Sequence, residues 1–253
     1  MLRNGVHGAS VSFRKFLDSP SKPTEAMKKL CERWRDTGLF ADVCATGCED
    51  GLNFAFEMER SACALFGLVT YGVHMSIYEQ MEEEDGRTCI RVWVPTRALT
   101  KPTYPRLLDN TVVGGIPSGM SAFESLVKEC LEEASVEADV VRKHTRCVGS
   151  ISYFFRTSKD WLQPERHVYD TLSPPGADPA PFTPRPSDGE VKSFDLVSQD
   201  KPLQQLREGL FKPNCSVVIV DLFIRLGYIM PESEPNFMKI MTRLHSSFQY
   251  DMW

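Results

Sequence analysis

Residues 114–136, GGIPSGMSAFESLVKECLEEASV, join a glycine pair to a helix bearing three closely spaced carboxylates. A short strand over residues 111–113 leads into Gly114-Gly115, where missing side chains let backbone approach closely. Over residues 121–136 apolar residues recur at helical spacing. Glu129, Glu132 and Glu133 stand at i, i+3 and i+4, so at about 100° per residue they fall within roughly one 100° arc. Phe123, Leu126, Val127, Cys130 and Ala134 occupy a different arc. The helix is therefore expected to bury one face and to aim three carboxylates at a common point. Like charges at this spacing repel by roughly a few tenths of a kcal/mol even in water. Beside a folded core they call for a cation, and hard carboxylate oxygens suit Mg²⁺ or Mn²⁺. The competing reading is a solvated acidic face stabilised by a Glu124–Lys128 i, i+4 pair.

Outward from this segment, the chain reads as strands mixed with helices, an α/β or α+β pattern. Thr24 is expected to cap a helix that continues to Trp34. Residues 54–66 carry helical spacing and stop at Gly67. Residues 68–77 and 89–94 read as strands around an acidic turn at 82–86. Strands are also expected over residues 149–155, 168–172 and 191–197. Residues 173–189 hold six prolines and read as a loop, functional or mobile. Asn214 can cap a helix ending at Gly227, although the β-branched run 217–220 leaves a strand open; residues 235–248 read as a last amphipathic helix.

The 253 residues carry 29 Lys+Arg against 34 Asp+Glu, a net charge of −5, and are 42% hydrophobic. Such proportions exclude a disordered chain, a collagen-like fibre and a coiled coil, and fit one or two domains. The acidity argues against nucleic-acid or anionic-membrane partners, which need a basic field. No run approaches the roughly 18 apolar residues of a membrane span; the most apolar stretch, 217–224, is broken by Asp221. Residues 1–17 contain Arg3, Arg14 and Lys15 but no long apolar block, so no secretory signal is expected. A mitochondrial transit segment is the weaker alternative to a cytoplasmic protein. The eight irregularly spaced cysteines read as reduced thiols of an intracellular chain.

The full spacing of the glycine–carboxylate segment resembles the Nudix box, G-x5-E-x7-R-E-U-x-E-E-x-G-U, with U a bulky apolar residue. Gly114 takes the first glycine position, Glu129, Glu132 and Glu133 match the three core glutamates, and Val136 matches the last U. Met120 stands where the box has its first Glu, Lys128 where it has Arg, Cys130 for the middle U and Ser135 for the late Gly. A narrower resemblance runs through ERSACALFGLVTYGVHMSIY, TKPTYPRLLDNTVVGGI, VKECLEEAS, DGEV and FKPNCSVVIVDLFIRLGYI to the thiamine pyrophosphokinase-related Nudix hydrolases of fungi and plants. Those proteins carry an upstream module with a W-R-D motif, here Trp34-Arg35-Asp36. Residues 1–66 are expected to be a shortened α/β version of that module and residues 67–253 the Nudix domain, an α/β/α sandwich with a mixed sheet.

The resemblance implies a hydrolase that cleaves a diphosphate linked to another group, X, and releases a monophosphate. It implies Mg²⁺ or Mn²⁺ held by Glu129, Glu132, Glu133 and the backbone at Gly114, with Glu132 and Glu133 in the chemistry. Lys128 would position Glu129 less rigidly than the fork of an Arg. Glu190, in Asp188-Gly189-Glu190-Val191, is the candidate general base or further ligand; Asp188-Gly189 alone reads as a turn. Lys101 is a candidate phosphate contact, Asp109 and Asn110 candidate braces of the metal loop with Asn110 also a candidate substrate contact, and Pro102 and Pro105 alone would make a rigid surface turn. Trp34, Tyr71 and Tyr153 are candidate ring-stacking residues, each with core packing as its alternative. Thiamine diphosphate or its oxidised analogues, oxythiamine and oxothiamine diphosphate, are the substrates the subgroup implies. The alternatives are ADP-ribose or NADH as substrate, or a regulatory protein that binds a diphosphate with little turnover. The partner is a small molecule, with a homodimer left open. Cys44-x3-Cys48 lacks a second ligand pair for zinc, and Gly114-Gly115 with Gly119 matches neither a dinucleotide fingerprint nor a P-loop. His74 reads as a core histidine.

Overall fold

The computed structural model describes residues 19, 21–37, 48–49, 57–66, 70–83, 86–153, 155–156, 162–163 and 166–245. In chain order the elements are α1 (Ser21–Asp36), β1 (Cys48–Glu49), β2 (Met58–Glu59), α2 (Arg60–Cys63), β3 (Gly72–Glu82), β4 (Thr88–Arg97), β5 (Val112–Gly115), α3 (Ala122–Ala134) and α4 (Ala138–His144). There follow β6 (Thr145–Ile151), β7 (Phe155–Arg156), β8 (Leu162–Gln163), β9 (Arg166–Ser173), β10 (Val191–Ser198), α5 (Asp200–Arg207), α6 (Pro213–Arg225) and α7 (Phe237–Leu244). Two 3₁₀ turns, Ala64–Phe66 and Ala180–Phe182, complete the set. The leader reading of residues 1–17, the stop at Gly67 and Cys44 of the zinc reading lie outside the described residues.

The main sheet is mixed, in the order β10-β4-β3-β9-β6 with β5 also on β3. β3 runs parallel to β9 and antiparallel to β4 and β5. β5 pairs with the first half of β3, Gly72–Met75, and β4 with the second, Tyr78–Glu82. β3 is buried on both faces, as a central strand must be. Val73, Met75 and Ile77 pack under Leu126, Val127 and Cys130 of α3 and Val141 of α4. Tyr78, on the other face, packs with Ile219, Leu222 and Phe223 of α6. The layers are helix, sheet and helix, which is the α/β/α sandwich expected from the sequence.

Several local expectations change. α1 begins three residues before Thr24, whose hydroxyl instead accepts the Glu57 amide at 2.8 Å. Of residues 54–66 the described part is 57–66, in which Met58–Glu59 is a strand and 60–66 is helical. The β-branched run 217–220 lies inside α6; Pro213 in its first turn and burial of Val218 and Ile219 outweigh strand propensity. α4 and α5 have no counterpart in the sequence reading. α4 explains why the Glu124–Lys128 pair does not form: Arg142 of α4 takes Glu124 with two bonds, at 2.6 and 2.7 Å, and Lys128 turns to Glu132. Among the described residues no helix is long and apolar enough to cross a membrane.

α3 opens on a Ser121 cap, whose hydroxyl accepts the Glu124 amide at 3.2 Å, and closes on Ser135 at φ 54°, in the left-handed region. That conformation explains why a glycine belongs at this position of the box. A non-glycine residue there costs about 1–2 kcal/mol, and the Ser135 hydroxyl offsets part of it by donating to Arg185 O at 3.2 Å. Ser135→Val, β-branched at positive φ, is expected to lower the unfolding free energy by about 1–2 kcal/mol in denaturant titration. Ser135→Gly should change it by less than about 1 kcal/mol, because glycine's greater freedom in the unfolded chain offsets the relieved strain.

Candidate active site

The site forms where α3 lies across β5. A Cβ at Gly114 would stand 2.1 Å from Glu129 Cγ and 2.3 Å from its Cδ. Only glycine lets the Glu129 stem pass over the strand there. One turn on, Glu133 Oε2 accepts the Val113 amide at 3.1 Å. Both carboxylates are thus fastened between helix and strand. Glu132 is not drawn in with them. It sits about 100° round the helix from Glu133 and about 40° from Lys128, and it pairs with the Lys128 ammonium at 2.8 Å with half its side chain exposed. The arc common to the three glutamates was wide enough for one of them to face solvent. Lys128 stands 3.9 Å from Glu129, so its closer partner is Glu132 rather than the carboxylate it was expected to position.

The proline-rich loop is fastened along its length. Phe182 inserts into the α3–α4 core and meets His144 edge-on at 5.0 Å. Arg185 N–H then donates to Ala134 O at 2.8 Å, at the end of α3. The chain beyond turns at Gly189, φ +82°, with Asp188 Oδ1 accepting the Glu190 amide at 2.8 Å. The carboxylates of Asp188 and Glu190 arrive within 4.8 Å of that of Glu133. Among the described residues this trio is the group of carboxylates close enough to share one ion, and Glu129 borders it. Asp188, read from sequence as part of a turn, is a member of the cluster. Its signal was present, since a second acid two residues before the candidate base faces the same way when a glycine turn separates them.

The electrostatics follow from burial. Desolvation raises the Glu129 carboxyl to about 7, with Glu132 and Glu190 adding to the rise and Lys128 and Arg60 opposing it. Glu133 is raised well above the ordinary carboxylate range, chiefly by burial and then by Glu129, Asp109 and Glu190, against the hydrogen bond from Val113. The donor set therefore fits a divalent cation: hard oxygens, converging, and reluctant to ionise without positive charge beside them.

An open cleft is lined by Arg97, Asp109, Asn110, Glu133 and Glu190. Beneath it, Asp109 binds Arg97 Nη1 at 2.6 Å and accepts a hydrogen bond from the Cys215 thiol. Burial pushes the Asp109 carboxyl up, but Lys212, Arg97 and these hydrogen bonds outweigh it and hold the group below its usual range. Asn110 is 1% exposed, with Oδ1 2.6 Å from His74 Nδ1 and its amide donating to Cys215 O. It braces the floor of the cleft and leaves almost no surface exposed. His74 is the buried core residue expected. Lys101, the candidate phosphate contact, forms an ion pair with Glu190. Of the candidate ring-stacking residues, Trp34 stacks on Phe66 at 5.6 Å in the upstream core, Tyr153 is buried, and Tyr71 is 40% exposed.

The chain is 36% identical over 192 residues to Nudix hydrolase 20, chloroplastic, of Arabidopsis thaliana, covering 76% of this chain and 48% of that protein. It is 33% identical over 245 residues to Nudix hydrolase 24, chloroplastic, of the same plant, covering 95% and 64% respectively. An uncharacterized protein of Saccharomyces cerevisiae, YJR142W, is 37% identical over 200 residues, 74% of this chain and 56% of its own length. The chain thus spans between about half and just under two thirds of these curated relatives. No protein-family model matches it. Among solved structures, the NUDIX domain of Shewanella oneidensis NrtR complexed with ADP ribose aligns over 62% of this chain and 88% of that one, at 12% identity and a TM-score of 0.45, a likeness too slight to argue from.

The raised carboxyls set a pH dependence. Glu129 binds its proton more tightly folded, near 7, than unfolded, near 4.5. The stability this contributes is fully present below about pH 4.5 and is lost as pH rises through 7; Glu133 acts in the same direction. Metal-free protein is expected to lose up to about 3 kcal/mol of unfolding free energy between about pH 5 and 8. Denaturant titration in a chelator checks this, and Glu129→Gln should flatten the slope.

Proposed function

The chain belongs to the Nudix superfamily, and we propose that it is a Mg²⁺- or Mn²⁺-dependent hydrolase of diphosphates linked to an organic group, releasing a monophosphate. The observation that carries this reading is the convergence of Glu133, Asp188 and Glu190 within 4.8 Å, with Glu129 beside them over Gly114.

In this reading Glu129, Glu133 and Asp188 hold the metal, with the Gly114 backbone beside them. Bound Mg²⁺ or Mn²⁺ supplies charge neutralisation for the diphosphate and a more acidic water. Glu190 stands at the mouth of the cleft with 45% of its side chain exposed. Its carboxylate accepts a proton from the attacking water. Lys101, now paired with Glu190, offers its ammonium to a phosphate oxygen, which leaves Glu190 free to act as base. Glu132, paired with Lys128 and half exposed, contributes negative charge at the edge of the cluster.

The favoured substrates are thiamine diphosphate and its oxidised analogues. What supports them is the run of sequence resembling the thiamine pyrophosphokinase-related group; residues 1–66 would then be that group's upstream module in part and residues 67–253 the catalytic domain. α1 and the Met58–Phe66 segment share a small core around Met27, Cys31 and Met58, in keeping with a module of its own.

Product analysis with Mg²⁺ or Mn²⁺ on thiamine diphosphate, oxythiamine diphosphate, ADP-ribose, NADH and dNTPs is the test. Monophosphate from the thiamine-type compounds alone is expected. Saturable binding with no product from any of them would leave a binding protein instead. Glu133→Gln should reduce turnover below about 1% of the parent with an unchanged circular dichroism spectrum; undiminished turnover would remove Glu133 from the metal assignment. Gly114→Ala should weaken Mg²⁺ binding by roughly 10- to 100-fold in titration calorimetry, because the new methyl displaces Glu129.

A further inference from the structure

The segment between β4 and β5 holds two non-glycine residues in the left-handed region, Tyr104 at φ 50° and Arg106 at φ 67°. Each such conformation costs on the order of 1–3 kcal/mol and persists only where its surroundings over-determine it. Tyr104 also precedes Pro105, which narrows its backbone choices further.

The constraint comes from below. Arg97 closes β4 with 9% of its surface exposed. Its guanidinium donates to Thr103 O at 3.0 Å, to Tyr104 O at 3.1 Å and to Asp109 Oδ2 at 2.6 Å. One buried fork thus grips both carbonyls at the bend and the carboxylate where the loop returns. Two more ties join this loop to the candidate base: Ala98 N–H donates to Glu190 O at 2.9 Å, and Lys101 pairs with the Glu190 carboxylate. The loop is therefore held at a fixed place relative to Glu190 and the cleft.

Held so, the loop keeps a large ring at the surface, since Tyr104 is 38% exposed. A buried charge fastened to two carbonyls is a costly way to hold an ordinary surface turn. The tyrosine face is suited to a flat or cationic ring. We propose that residues 100–106 are the substrate-reading rim beside the cleft, tied to it through Arg97 and Glu190. Tyr104 presents a ring face to a heteroaromatic group on the diphosphate, and Arg97 is the positioning residue that holds it there. The inference rests on the diphosphate reading and names the class of X that the site selects.

Tyr104→Asn is the informative variant, because asparagine tolerates the left-handed region while removing the ring. Turnover is measured with Mg²⁺ on thiamine diphosphate, ADP-ribose and an alkyl diphosphate. Binding of a methylene-bridged diphosphonate, with and without a heteroaromatic group, is measured by calorimetry. Tyr104→Asn should raise KM and Kd for the ring-bearing compounds roughly tenfold or more, with kcat changed less than about threefold and the alkyl compounds unaffected. Tyr104→Phe should stay near the parent. Arg97→Lys, which keeps the charge but loses the fork, should show the same KM-weighted, ring-selective defect as Tyr104→Asn. An equal loss on ring-bearing and alkyl compounds, or no loss in Tyr104→Asn, overturns the proposal while the hydrolase reading stands. Ring-selective binding without turnover by the parent supports the rim and overturns the hydrolase. Failure of the parent to bind either diphosphonate overturns both.

Discussion

A missing side chain governs this structure. Because Gly114 has no Cβ, the Glu129 stem crosses β5 at a distance no other residue would permit. The depth at which α3 sits on the sheet follows from that crossing. At that depth Leu126, Val127 and Cys130 reach the β3 core, and Glu133 one turn on reaches the Val113 amide. Apolar packing on one side of the helix thus pulls carboxylates on the other side out of water, and their reluctance to ionise is the consequence. The stability gained under α3 and the electrostatic tension above it come from the same contact.

The remaining acids come from a segment far along the chain. Prolines and an inserted phenylalanine make residues 173–189 a fitted strap rather than a slack connection. Its register is set at Phe182 and again at Ala134 O, a few residues before Asp188 and Glu190 leave it. On the far wall, the buried Arg97–Asp109 pair joins the opposite side of the cleft to Lys212 and Cys215 at the start of α6. Each wall of the cleft is therefore anchored in a separate hydrophobic layer.

Much of this was legible in residue spacing. The period and glycine placement of residues 114–136 gave the helix, its cap region and the two carboxylates that face the strand. The strands around it followed from β-branched runs. α4 and α5 were not legible because each spans about two turns, too short for periodicity to separate from noise. α4 is held by Arg142 on Glu124 and by Val141 in the core, which are tertiary facts. The same holds at the site. Nothing in sequence said that Glu132 would lean to Lys128 or that Asn110 would be sealed beneath the floor. Trp34 looked available for a ring and is occupied by Phe66.

The parallel pairing of β3 with β9 has a consequence for how the molecule comes together. Val73 finds its partner at residue 167, so the centre of the sheet closes only across a long stretch of chain. Pairings of that separation form slowly compared with the neighbouring β3–β4 hairpin. β10, which carries Glu190 into place, joins β4 later still in chain order. As the chain emerges during synthesis, the box helix is complete well before its facing wall exists. The newborn α3 must then hold its acids in the open until residues 188–198 arrive, and only that last strand turns a charged helix face into a two-sided cleft.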